Sequence, residues 1–315
     1  LKKLLRRPEV GVVISLLVIT LAFAILSDGK FLRPRNLSNV LGSGSQLGIM
    51  TIGIALVLII GEIDLSVGSV AGFAGLLFVI WSNRFGTIPA FIAAMGVSCL
   101  IGLFNGLVIT KTEVPSLIQT LGMTLFLRGF IYVITGGFVT SFDQVTPFLE
   151  LLSGKILGGF YTSIVWFVVI AALFTVILDL TSYGNRIFAV GGNRQVARAL
   201  GISVDRIRLT VFVICAGLAG FAGCVMAARF RTVAATTGAQ MELEAIASAV
   251  MGGCLLTGGY GSIPGPCIGA LLISSVGSGL VLAGAPAYWY QAFIGIVLVL
   301  ASIVNLSVVR RVVTR

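Results

Sequence analysis

An all-α protein, folded as a polytopic bundle of membrane-spanning helices, is what this sequence predicts. Three observations carry the prediction. Of 315 residues, 57% are hydrophobic and only 10% are charged, with a mean hydropathy of +1.10, whereas a soluble domain carries about 25% charged residues. Apolar runs of near-spanning length recur at 11–27, 46–61, 65–81, 88–110, 115–135, 161–180, 209–230, 242–257, 263–284 and 289–307. Forty glycines suit helices packed closely in lipid.

Taken in order, the first run follows Lys2, Lys3, Arg6 and Arg7 and passes through Ala22-Phe23-Ala24, a pattern like a signal-peptide cleavage site. More apolar runs follow it, so we read it as an uncleaved first span. The runs at 46–61, 65–81 and 242–257 are short or interrupted by glycine. Each suits a half-helix or re-entrant segment, giving eight to ten spans. Basic residues cluster at the N-terminus, at the C-terminus (Arg310, Arg311, Arg315) and in the interval 181–208. The positive-inside tendency then puts both termini and that interval in the cytoplasm, which ten crossings satisfy. Lys30, Arg33 and Arg35 in the first outer connection run against this orientation. The stretch 136–160 is amphipathic and is expected to pack on the outer surface.

Two interruptions echo each other: Gly61-Glu62-Ile63-Asp64-Leu65-Ser66-Val67-Gly68 and Gly258-Gly259-Tyr260-Gly261-Ser262-Ile263-Pro264-Gly265. Transporters built from repeats place broken helices near the membrane midplane. An inverted repeat of five plus five spans is therefore open.

Ionisable groups at membrane depth are functional candidates by default. Glu62 and Asp64 lie between apolar runs, and Arg128 lies inside one. Asp64 or Ser66 is also placed to cap the helix that follows, and Arg128 has two ordinary options, pairing with Glu62 or Asp64 or snorkelling outward. Asn105, Gln119 and Thr120 are polar groups within spans, suited to a solute hydroxyl or to gluing helices together. Glu242 and Glu244 open a run, where acids favour a helix start.

The interval 181–208 holds Arg186, Arg194, Arg198, Arg206 and Arg208 against Asp205. Within it Asn193 is placed to cap a short helix, and Gly201 to end it in the left-handed conformation. Arg194 and Arg198 share one face of that helix, with Val196 and Leu200 on the other. A helix this short is marginal alone, so we expect the Val196/Leu200 face to dock on another protein.

Several classes fall away. The basic residues sit at loops and termini without interleaved aromatics, which argues against nucleic acid. The five cysteines lie in apolar runs and form no C-x-x-C pair, and the chain has no histidine. Those thiols read as small hydrophobes. There is no G-x-x-x-x-G-K-[ST] phosphate loop, so this chain is not expected to bind ATP by that route. No enzyme motif is found.

The stretches GEIDLSVGS (61–69), GLFNGLVITKTEVPSLIQTLGM (102–123), YGNRIFAVGGNRQVARALGI (183–202), AGLAGFAG (216–223), ELEAIASAVMGG (242–253) and GGYGSIPGPCIGALL (258–272) resemble the permease subunits of bacterial ABC importers for simple sugars, the ribose, xylose, arabinose and autoinducer-2 group. The resemblance implies a bacterial inner-membrane permease paired with a second permease subunit, identical or related. It implies a separate cytoplasmic ATPase that holds ATP and magnesium, with no cofactor on this chain, and a periplasmic sugar-binding protein. It assigns ATPase coupling to Gly184, Ala189, Gly191, Gly192, Asn193, Ala197, Arg198, Gly201 and Ile202, to which the arginine face adds Arg194. The translocation-path candidates are Glu62, Asp64, Ser66, Asn105, Gln119, Thr120 and Arg128. The family more often has glycine at the position of Glu62 and a small hydroxyl residue at that of Pro266. Pro264 and Pro266 are expected to stiffen the late interruption. The expected function is alternating-access import of a monosaccharide. Nucleosides or branched-chain amino acids as cargo, and an ion-coupled carrier using Glu62, Asp64 and Arg128, are the alternatives.

Overall fold

The computed structural model describes residues 8–286 and 288–300. The terminal basic clusters of the orientation argument lie outside the described residues. Thirteen helices are described: α1 (Pro8–Leu26), α2 (Pro34–Ile59), α3 (Val67–Phe85), α4 (Thr87–Thr112), α5 (Ser116–Thr135), α6 (Pro147–Ser153), α7 (Ser163–Leu180), α8 (Ser182–Gly192), α9 (Arg194–Ala199), α10 (Val204–Phe230), α11 (Met241–Met251), α12 (Pro264–Leu282) and α13 (Trp289–Leu300). Seven of them (α2, α3, α4, α5, α7, α10 and α12) are long and apolar enough to cross a membrane, and α1 and α13 contribute shorter apolar stretches. The 11 residues of α11 extend only about 16 Å, half a bilayer core. It is a half-helix, as its glycine-bounded run suggested.

The bundle is built around α2 and α10. The most apolar window of α2 is 94% buried and that of α10 is 78% buried, against 17% for α7 and 22% for α5. So α2 and α10 form the interior, and α5 and α7 lie at the periphery of the chain. Glycine makes the interior close-packed. A Cβ on Gly223 of α10 would overlap the carbonyl of Ala71 in α3, so the two backbones touch directly.

The start of α2 differs from the hydropathy reading. Helix α2 begins at Pro34, twelve residues ahead of its apolar run. Its first turns carry Ser38, Gly42, Gly44 and Ser45, all buried against protein rather than lipid. Ser38 donates to the Gly159 carbonyl and Ser274 to that of Val40, so these polar turns are satisfied inside the bundle. The prolines expected to stiffen the late interruption instead start α12, with Pro264 at its first position. The amides they lack would have no helical partner there. Helix α1 runs unbroken through Ala22–Ala24.

The 136–162 segment lies across one end of the bundle. It forms strand β1 (Thr140–Ser141), antiparallel to β4 (Thr232–Val233), then α6, then the small hairpin of β2 (Lys155–Ile156) and β3 (Phe160–Tyr161). Leu149 and Leu152 of α6 are buried in a second core with Phe78 and Val233, and an Arg231–Glu150 ion pair ties the cap to the α10 exit. The opposite end carries 60–66, 113–115, 181–203 and 252–263, and is the cytoplasmic end of the sequence argument.

Candidate functional site

Where α2 ends, residues 60–66 leave helical geometry. Backbone freed inside a membrane protein must find partners. A stripe of hydroxyls on α5, spaced four apart, supplies them. The Ile63 amide donates to Ser116 Oγ (3.1 Å) and the Leu65 amide to Thr120 Oγ1 (3.1 Å), while Thr124 Oγ1 donates to the Leu65 carbonyl (2.8 Å). Sequence reasoning chose Thr120 but missed Ser116 and Thr124. The four-residue spacing on one helix face was the available signal.

At the end of this extended stretch, Asp64 Oδ1 accepts from both the amide (2.8 Å) and the hydroxyl (2.6 Å) of Ser66. Asn105 of α4 donates to Ser66 Oγ (3.1 Å), and Gln119 of α5 donates to Asn105 Oδ1 (3.2 Å). Asp64, Ser66, Asn105, Gln119 and Thr120 thus form one polar cluster where α3, α4 and α5 meet. Asp64 is 1% exposed, and its Oδ2 has no protein partner. The expected cap is not made: Ser66 stands at the N-cap position of α3 without a side-chain bond to a helix amide, and Asp64 Oδ1 instead holds the turn just ahead of it.

Glu62 and Arg128 stand apart from this cluster. The anticipated pairing of Arg128 with Glu62 or Asp64 is not made. Arg128 continues the α5 stripe one turn beyond Thr124 and reaches a different element, the turn before α11. There it donates to the carbonyls of Thr237 (2.7 Å) and Ala235 (3.3 Å), and the carboxylate whose field reaches it is Glu242. Seven residues separate Arg128 from the end of α5, about 10 Å along the axis. The α10–α11 connection must therefore dip into the bundle to meet it. The starts of α3 and α11 come together at that level, because a Cβ on Gly68 would overlap the Gly238 carbonyl and one on Gly238 would overlap that of Gly68.

Glu62 faces the cytoplasmic end instead. Its Oε1 accepts from Arg194 Nη2 (2.6 Å) and from Arg208 Nη2 (2.6 Å) and Nε (2.9 Å). Arg208 is buried in α10, so it belongs to a span rather than to a cytoplasmic loop.

The 181–208 interval holds two helices rather than one. Helix α8, unforeseen, is capped by Thr181 Oγ1, which accepts from the Gly184 amide (3.3 Å), and it buries Gly184, Ile187 and Val190. Asn193 caps α9 as expected, accepting from the amides of Gln195 (2.9 Å) and Val196 (3.1 Å). Gly201 is left-handed (φ +80°), and the Ile202 amide closes the turn on the Ala197 carbonyl (3.0 Å). Ala197 is buried, while Val196 (54% exposed) and Leu200 (73%) are left largely uncovered by the described residues. Arg194 and Arg198 diverge in use: Arg194 turns inward to Glu62, and Arg198 makes a surface pair with Asp205 (3.3 Å). Ala189 and Ile202 pack at the edge of the main core.

The α8–α9 elbow touches both interruptions. A Cβ on Gly191 would overlap the Ile59 carbonyl, and one on Gly184 that of Leu178. The Gly259 amide donates to the Ile59 carbonyl (2.8 Å), and Gly258 lies against Gly61. So the two echoing interruptions meet, and the elbow rests on their junction. A cavity of about 380 Å³ opens there, lined by Ile60, Gly61, Gly191, Asn193, Arg194 and Thr257 among others. Gly192 faces open space.

The arrangement contains a polar cluster at a broken helix and an α8–α9 elbow bearing on two broken helices. Residues 36–302 match the family described as the permease component of the branched-chain amino acid transport system. The autoinducer 2 import system permease protein LsrC of Salmonella typhi is 33% identical over 288 residues, 90% of this chain and 82% of its own. The probable ABC transporter permease protein YphD of Escherichia coli strain K12 is 32% identical over 311 residues, 96% of this chain and 91% of its own. LsrC of Escherichia coli strain K12 / DH10B is 33% identical over 288 residues, 90% of this chain and 83% of its own. No solved structure matches the chain significantly. With a family match over most of its length and relatives covered over four-fifths or more of theirs, the chain belongs to this family of ABC transporter permeases, as a multi-pass inner-membrane transport subunit.

Proposed function

We propose that this chain forms half of the membrane pathway of an importer for a monosaccharide-sized, hydroxyl-rich solute, driven by a separate ATPase. The observation that carries the reading is the α8–α9 elbow. It presents uncovered Val196 and Leu200 outward while its base rests on the junction of both interruptions. A partner that pushes on α9 therefore acts at once on the ends of α2 and α11 and on the start of α12. The relatives named as autoinducer 2 import permeases fall in the simple-sugar importer group that the sequence resembles, which favours a polar cargo. Within the cluster of Asp64, Ser66, Asn105, Gln119 and Thr120, half-buried Gln119 and the unpartnered Asp64 Oδ2 carry the hydrogen-bonding capacity for such a cargo, and Arg128 lies nearer the outer entrance. The proposed partners are a second permease subunit, identical or related, a cytoplasmic ATPase that binds ATP and magnesium, and a periplasmic solute-binding protein. Access alternates as the ATPase closes and opens. No bond is made or broken on this chain.

The test is uptake of radiolabelled sugars into proteoliposomes holding the permease with its partner ATPase and binding protein. The reading expects uptake that requires internal ATP and saturates with a sugar. Uptake of branched-chain amino acids and not of sugars would favour the cargo in the family's description. Uptake driven by a proton or sodium gradient without the ATPase would overturn the reading.

A further inference from the structure

We propose that Glu62 is a positioning residue that links the ATPase-facing elbow to the first interruption, so that the stroke on α9 is delivered to the solute pathway through one shared carboxylate. The inference rests on the transport reading above. Three facts carry it. First, Glu62 sits two residues before Asp64, on the same extended stretch that Ser116, Thr120 and Thr124 hold against α5. A pull on Glu62 is a pull on the stretch that carries the polar cluster. Second, its two cations are held differently. Arg208 projects from α10, is 10% exposed and makes two contacts to Glu62 Oε1. Arg194 projects from α9, is 38% exposed and reaches the same oxygen at 2.6 Å. The α10 arm is fixed in the interior, and the α9 arm lies at the edge of the cavity beneath the elbow. Third, Arg194 Nη2 also bonds the carbonyls of Gly61 (3.2 Å) and Ile60 (3.4 Å). One guanidinium nitrogen therefore grips the backbone of the interruption as well as its side chain.

Charge geometry makes this a latch that can be released. One carboxylate oxygen serves two guanidinium groups, and the cluster keeps a surplus positive charge at the cavity. When α9 moves, Arg194 can leave while Glu62 retains Arg208, so no carboxylate is left buried alone, the event that would be costly.

The test uses the assembled complex of permease, ATPase and binding protein in proteoliposomes. It compares wild type with Arg194→Gln, Arg194→Lys and Glu62→Gln, measuring ATP hydrolysed per solute imported and the melting temperature of the detergent-solubilised complex. Arg194→Gln removes only the α9 arm and is expected to raise the ATP consumed per solute at least about fivefold, the lower range of ordinary coupling energies, with the complex still assembled. Arg194→Lys, which keeps a cation within reach of Oε1, is expected to restore most of the coupling. Glu62→Gln is expected to uncouple like Arg194→Gln and also to lower the melting temperature, because Arg208 loses its counter-charge. Wild-type ATP per solute in all three variants would overturn the proposal. So would melting temperature and uptake that fall together at constant ATP per solute, the signature of a merely structural pair. Absence of ATP-driven uptake by the wild type would remove the transport reading itself and the proposal with it, and is distinguishable because it needs no variant.

Discussion

At the scale of single residues, the sequence points to the right atoms more often than to their partners. Glu62, Asp64 and Arg128 stand out because charge in an apolar chain is costly. Which cation meets Glu62 is set by a fold that brings together residues 132 and 146 positions apart, and a single sequence holds no record of that choice. The glycines make the sharpest residue-scale prediction. Gly191 and Gly192 are adjacent in α8 and look equivalent in sequence. A methyl group on Gly191 would strike the Ile59 carbonyl and the Gly259 amide nitrogen, whereas one on Gly192 meets nothing. Backbone atoms cannot swing aside as a flexible side chain can. Gly191→Ala should therefore destabilise the purified permease by about 1–3 kcal/mol and Gly192→Ala hardly at all, read as thermal melting midpoints in detergent. Equal midpoints for the two variants would contradict the packing of the elbow on the interruptions.

At the scale of elements, the long apolar helices were legible because hydropathy is a local property. The elements that failed to register are those stabilised by tertiary contact. Helix α8 has glycine at both its third position and its end, weak helix formers, and it holds because Ile187 and Val190 are buried beneath it. The first turns of α2 escaped notice for the same reason, as their serines and glycines are solvated by protein. The interruption at 60–66 was legible as a break, but its support from α5 was not. That support can be measured. Thr120→Val leaves the Leu65 amide without its acceptor, and a buried donor left unpaired costs about 1–3 kcal/mol. Thr175→Val is the control, since Thr175 Oγ1 bonds only its own helix, at the Ala171 carbonyl. We expect a clear drop in melting temperature and in solute uptake for Thr120→Val and little change for Thr175→Val. At the surface of the elbow, Val196 and Leu200 are uncovered, so the double variant Val196→Asp/Leu200→Asp should keep its melting temperature while co-purification with the ATPase is lost. Arg194 and Arg198 are poorer probes of docking than the sequence suggested, because reversing Arg194 also breaks the Glu62 pair.

At the scale of the whole molecule, the described bundle has two differently built ends. One is covered by the 136–162 cap, pinned by β1–β4 pairing and by the Arg231–Glu150 ion pair. The other gathers both interruptions beneath the α8–α9 elbow. Between them, α3 and α11 start inside the bundle and touch through Gly68 and Gly238. A force applied to the elbow has a short mechanical route to both helices, through residues 60–66 into the start of α3 and through the 252–263 junction into the end of α11. This is the central claim, and one measurement addresses it most directly. Uptake of labelled solute into proteoliposomes should be compared for the wild-type complex and for Val196→Asp/Leu200→Asp, each with ATP inside and the loaded binding protein outside. The account predicts ATP-dependent uptake by the wild type and its loss in the variant, with the variant permease folded and inserted. Undiminished uptake by the variant, or wild-type uptake that persists without ATP or the ATPase, would contradict it.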